Sequence, residues 1–130
     1  MENIIARTVI LVRDYEEALL FYRENFGFTP LFDQESPDGL RLLHIGCPTQ
    51  KGSGIWFIKA SGSEQQAAVG RQAPGQPLLV IYTPSIGRIY ERLLQNKVKV
   101  RMERHGDTVH PNLHCYDLYG NEIVVVEMKS

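Results

Sequence analysis

No stretch of the chain approaches the roughly 20 consecutive apolar residues that a membrane span requires, and neither sign of charge is in excess. Its 130 residues set 14 Lys and Arg against 15 Asp and Glu, a formal charge of -1, with the two signs interspersed. That leaves no basic stripe, so neither nucleic acid nor an anionic membrane is expected as a partner. The N-terminus, MENIIARTVI, places Glu2 where a secretory leader carries positive charge, and a cytoplasmic location is the expectation. Cysteine is sparse as well. Cys47 and Cys115 sit in no CxxC pattern, which excludes a disulfide framework and makes reduced thiols the default, with no redox role assigned to either. What remains is a chain long enough to bury about two thirds of its unfolded surface without staples.

The stretch from Ala6 to Phe26, ARTVILVRDYEEALLFYRENF, is the most ordered in pattern. Thr8 to Val12 is an aliphatic, β-branched run that predicts a strand. Asp14 follows as a helix N-cap with Glu17 three residues on. Tyr15, Ala18, Leu19 and Tyr22 then fall at i, i+3, i+4 and i+7, the stripe of a helix lying on a sheet, with Tyr22 as its buried anchor. Gly27 supplies the C-terminal stop. Phe28 to Asp33, Leu40 to Ile45 and Ile55 to Lys59 read as three more strands.

The pattern returns. Leu78 to Tyr82 is a second aliphatic strand, Thr83 and Pro84 read as an N-cap followed by proline in the first helical position, and Ile86, Ile89, Tyr90 and Leu93 repeat the stripe 71 positions after Tyr15. Val98 to Arg104, Asn112 to Asp117 and Glu122 to Met128 complete the set, with turns at His105 to Thr108 and Leu118 to Asn121. Residues 61–76 lose apolar periodicity and read as a connector. The expected fold class is α+β: a single domain over residues 1–130 made of two tandem βαβββ units, 4–60 and 77–128. A repeat of about half the chain points to a duplicated supersecondary unit, since a solenoid needs three copies or more.

Two motifs carry a resemblance that spans the chain. VRDYEEALLFYRENFGF resembles the recurring V-x-D-x-x-x-A-x-x-F-Y-x-x-x-L-G-F entry of the vicinal oxygen chelate superfamily, departing at Phe26, and DLYGNEIV resembles its D-P-x-G-N-x-x-E closing turn, departing at Leu118 and Val124. The superfamily holds glyoxalase I, extradiol dioxygenases, fosfomycin resistance enzymes and bleomycin resistance proteins. The resemblance implies that each unit curls a mixed sheet into half a cup with its helix outside. In the metal-dependent members, the first and last strands of each unit bring one metal ligand apiece into the cup.

Matched motif by motif, the four ligand positions here are Arg7, Trp56, Pro77 and Val124. A guanidinium is permanently protonated, and Trp, Pro and Val offer no donor to a cation. The expectation is therefore no metal and no cofactor, a divalent ion entering only through a relocated ligand set. A slip of one residue would bring Gln76 into the third position, which by itself makes no site.

The resemblance thus implies a binding protein of the sequestration or resistance type, a homodimer in the family's manner. Its partner would be a small organic ligand, with an anionic group where it meets Arg7 and an aromatic face where it meets Trp56. Strand alternation adds Val9 and Leu11 beside Arg7, and the closing hairpin adds Asn112, His114 and Val124. His114 is the best acid or base candidate, because its charge changes near neutrality, though no catalytic residue is assigned. Cys115 falls on the helix side. Two other readings are carried forward: a metal-dependent lyase or dioxygenase with ligands relocated to His114 with His44 or Glu127, and a regulatory or interaction module with no ligand. His105, His110 and His114 match no compact metal spacing.

Overall fold

In the computed structural model, which describes residues 2–103 and 110–129, eight strands and three helices follow one another in two compact units, residues 1–69 and 70–130. The expected turn at His105–Thr108, with His105 itself and Arg104, lies outside the described residues.

The first unit runs β1 (Arg7–Val12), α1 (Tyr15–Phe26), β2 (Thr29–Glu35), β3 (Arg41–Gly46), β4 (Gly54–Lys59) and α2 (Gly62–Ala68). Its sheet has the order β1-β4-β3-β2, with β1 and β4 parallel and the other pairs antiparallel. The start of α1 is local chemistry: the Asp14 carboxylate accepts the Glu17 N–H at 2.9 Å, a cap of the kind that contributes about 1 kcal/mol. Its end is equally local. Gly27 turns left-handed at φ 72° and its N–H reaches the Arg23 carbonyl, a conformation that glycine adopts without a Cβ penalty. Between these ends, Ala18, Leu19 and Tyr22 are buried on the sheet face that carries Ile10, Val12, Leu43, Ile45, Ile55 and Phe57.

The second unit repeats the plan with β5 (Pro77–Thr83), α3 (Ile86–Gln95), β6 (Val100–Glu103), β7 (Asn112–Tyr116) and β8 (Glu122–Glu127), in the order β5-β8-β7-β6. Leu93, Leu113, Cys115, Ile123 and Val125 form its buried side. The Asp117–Asn121 turn closes on itself: the Asp117 carboxylate accepts the N–H groups of Tyr119 and Asn121 and the Asn121 amide, each at 2.9 Å, and Gly120 turns at φ 94°.

Two local expectations are corrected. α3 begins at Ile86 with Ser85 as its N-cap, not at Pro84 with Thr83. The Ser85 hydroxyl accepts the Arg88 N–H, and the Glu127 carboxylate accepts the Ile86 N–H at 3.1 Å. Thr83 closes the strand instead. Within 61–76, residues Gly62–Ala68 form the helix α2, none of them buried. Local bonds hold it, Ser61 N–H to the Gln65 side chain and the Gln66 amide to the Ala60 carbonyl, both at 2.9 Å. It has no apolar stripe because it buries no face.

Candidate functional site: an aromatic row on the open face of the first sheet

Each sheet has one face under its helix and one open face, set by the two-residue alternation of strands. In the first unit Ile10, Val12, Leu43, Ile45, Ile55 and Phe57 take the helix face, so their neighbours Arg7, Val9, Leu11, Leu42, His44, Trp56 and Ile58 take the other. Register then lines up a row across all four strands: Val9 opposite Trp56, Trp56 opposite His44, His44 opposite Phe32. The rings follow the register. His44 lies 5.2 Å from Trp56 and 5.3 Å from Phe32 by ring centroids, tilted at 45° and 43°, an arrangement in the favourable range for aromatic pairs.

Arg7 meets this row through His44. Its Nε donates to His44 Nδ1 at 3.1 Å, while one Nη donates to the backbone carbonyls of Ala6 at 2.7 Å and Lys51 at 3.3 Å. Burial, and then the Arg7 charge, hold the His44 pKa below its ordinary 6.5, so the imidazole is neutral. With the folded-state value depressed, the stability this pair contributes is present above 6.5 and is lost as pH falls through the depressed value. Beside Trp56 a cleft of about 580 Å³ runs past Leu40, Leu42 and Ile58 to Tyr15 and Lys59, within the usual range for small-molecule sites. Arg41 at its rim is already engaged: Nε and one Nη grip both Asp33 carboxylate oxygens at 2.9 Å, and the other Nη pairs with Glu16. That grip holds the Asp33 carboxyl below its usual range.

The second sheet carries the corresponding row, Val80, Val124, His114 and Arg101. His114 thus occupies the register position in β7 that His44 occupies in β3. Its surroundings are different. Glu122 places one carboxylate oxygen 3.5 Å from His114 Nδ1, and the other accepts the Tyr116 hydroxyl at 3.3 Å. Asn112 stands on the same face, opposite Val126.

The expected site residues therefore fall as follows. Arg7, Val9, Leu11 and Trp56 share the open face of the first sheet; Asn112, His114 and Val124 share that of the second. Pattern reading offers His44 only as a relocated metal ligand and does not single out Phe32, although alternation within Leu40–Ile45 puts residue 44 on the open face. Pairing across strands, not any local motif, brings the two beside Trp56. Glu127 cannot join His114 in a relocated ligand set: it shares the face of Ile123 and Val125, where it caps α3. Among the described residues, no group of three or more His, Cys, Asp or Glu side chains is gathered around a point that could hold a metal ion.

The two thiols differ sharply. Cys115 is fully buried, and burial followed by the Asp117 charge pushes its pKa up to about 12. Cys47 is half-exposed, and the Thr49 hydroxyl at 3.3 Å lowers its pKa. Since the thiolate is the reactive form, Ellman's reagent at pH 8 should titrate one thiol per native chain, lost in Cys47→Ser, and a second only after denaturation. Two fast thiols in the native protein would contradict the burial of Cys115.

Comparison with known proteins agrees with this architecture. The model of the glyoxalase/bleomycin resistance protein/dioxygenase superfamily matches residues 4–125. A curated relative, an uncharacterized protein of Shewanella frigidimarina (strain NCIMB 400), is 29% identical over 124 residues, 93% of this chain and 90% of its own. Among solved structures, UcmS2 superposes with a TM-score of 0.78 at 23% identity, over 97% of this chain and 98% of its own. TnmS3, an antibiotic binding protein from Streptomyces sp. CB03234, does so with a TM-score of 0.74 at 21% identity, over 97% and 96%. At these identities the likeness is one of fold.

Proposed function

The chain belongs to the glyoxalase/bleomycin resistance protein/dioxygenase superfamily, and on that premise we propose that it binds a small organic molecule on the open face of its first sheet, without a metal ion. The observation that carries this reading is the row of Trp56, His44 and Phe32 beside an apolar cleft of about 580 Å³. Stacking faces, one convergent polar group and a concave apolar wall are what a ligand site needs. The antibiotic-binding role of TnmS3 supports a binder over a catalyst. Donor chemistry supports it too: Arg7, Trp56, Pro77 and Val124 do not fit a divalent cation, since none has a lone pair to give. The homodimer is part of the same reading.

Trp56 is the only tryptophan, so its fluorescence reports on this face alone. In a thermal-shift screen of small aromatic and antibiotic-like compounds in excess chelator, hits should raise the melting temperature and change Trp56 emission. Trp56→Leu should weaken them about 10- to 100-fold, the effect of removing a stacking anchor. Hits that leave the emission unchanged, or that survive Trp56→Leu intact, would place the ligand elsewhere.

One observation favours a second reading. His114 and Glu122, 3.5 Å apart, are two potential metal donors on one sheet face, and a relocated-metal enzyme would start from them. Catalytic zinc takes three protein ligands, so this pair is one short.

A further inference from the structure

Arginine is a donor only and is never deprotonated in proteins. The 3.1 Å bond from Arg7 Nε to His44 Nδ1 therefore requires a lone pair on Nδ1, and in the neutral ring the proton must sit on Nε2. Nothing else among the described residues engages that ring beyond the flanking Phe32 and Trp56. We infer that His44 is the polar recognition group of the first-sheet site: a fixed Nε2–H donor, with Arg7 as its positioning residue, that selects a planar aromatic ligand bearing a neutral acceptor such as a ketone or amide carbonyl.

This inference rests on the proposed binding role of the same face and names its ligand class. It also redirects the expectation that Arg7 itself takes a ligand carboxylate. Three bonds from Nε and one Nη already go to His44, Ala6 and Lys51, leaving the fork unable to offer both nitrogens squarely to an anion. The duplicated histidine makes the contrast visible. At the same register position in the second sheet, His114 Nδ1 lies 3.5 Å from a Glu122 carboxylate oxygen, an acceptor that favours the proton on Nδ1 in the neutral ring. On this inference the two register-equivalent histidines hold opposite tautomers, Nε2–H in the first unit and Nδ1–H in the second.

Long-range proton–nitrogen NMR correlation of the histidine rings at pH 8 tests the tautomers without any ligand. His44 should show the Nε2–H pattern and His114 the Nδ1–H pattern. Arg7→Met should return His44 to a mixture while leaving His114 unchanged. An Nδ1–H pattern at His44 in the wild-type protein would overturn the inference whatever the protein binds.

Ligand class is tested with three ring systems of one shape: fluorene, fluorenone and fluorene carboxylate. Fluorenone should bind about tenfold more tightly than fluorene, the worth of one hydrogen bond in a half-buried site. His44→Phe, which keeps a ring between Phe32 and Trp56, should remove that difference. Tightest binding by the carboxylate, lost in Arg7→Met but kept in His44→Phe, would overturn the proposal in favour of Arg7 as the anion contact. If the tautomers hold but none of the three binds and Trp56 emission stays fixed, the binding role of the face has failed, and the ligand class with it.

Discussion

Tyr22→Ala should cost about 3–5 kcal/mol of stability, the range for truncating a fully buried aromatic side chain. Tyr22 is 1% exposed and is the residue through which α1 grips its sheet. Its ring packs against Phe57 of β4 at 5.6 Å, stacks on Phe28 at 6.4 Å with planes 6° apart, and meets Phe21 edge-on at 5.1 Å. These three rings, with Phe26 tilted at 6.2 Å, cannot collapse into the space Tyr22 leaves, so the lost transfer energy and the cavity both count. Thermal or urea unfolding measures it. A loss below about 1 kcal/mol, typical of surface positions, would mean that the helix is not anchored there.

Gly54→Ala should be as damaging for a different reason. Gly54 opens β4 opposite Arg7, and a Cβ added there would drive into the Ile45 carbonyl oxygen of β3 and lie 2.9 Å from Leu31 Cδ1. A carbonyl in a paired strand cannot step aside without breaking the ladder. Overpacking of this kind costs roughly 1–3 kcal/mol in a yielding core and more against backbone. Because β4 carries Trp56, the variant should lose stability and change Trp56 emission together. Gly87→Ala is the control, since nothing lies within 4 Å of a Cβ there, and helix propensity favours alanine by up to about 1 kcal/mol. Equal stability of Gly54→Ala and wild type would contradict the close approach of β3 and β4.

Much of this architecture is legible in residue order because the signals are local. Asp14, the stripe ending at Tyr22 and Gly27 each act within one or two turns of α1, and the stripe's return from Ile86 announces the duplication. What is missed obeys non-local rules. The start of α3 is decided partly by Glu127, 41 positions away from Ile86, so the Thr83–Pro84 signal misleads by two residues. Helix α2 buries nothing, and a helix without a buried face leaves no periodic trace. For the site, alternation correctly puts Arg7, Val9 and Leu11 on one face, but the row from Val9 to Phe32 exists only through strand pairing. Arg7 stands at the family's first ligand position, which is why the sequence offers it as an anion contact. In the folded chain its Nε also bonds His44, 37 positions on, and no local pattern encodes that bond.

The most direct test of a metal-free binding face is calorimetric titration of chelator-stripped protein with nickel, zinc, manganese and, anaerobically, ferrous ion. With Arg7, Trp56, Pro77 and Val124 in the family's ligand positions, and no group of three or more donor side chains gathered among the described residues, no site tighter than about 1 mM is expected. One tight site per chain, abolished by His114→Ala or Glu122→Gln, would contradict that expectation and make a relocated-metal enzyme the better reading.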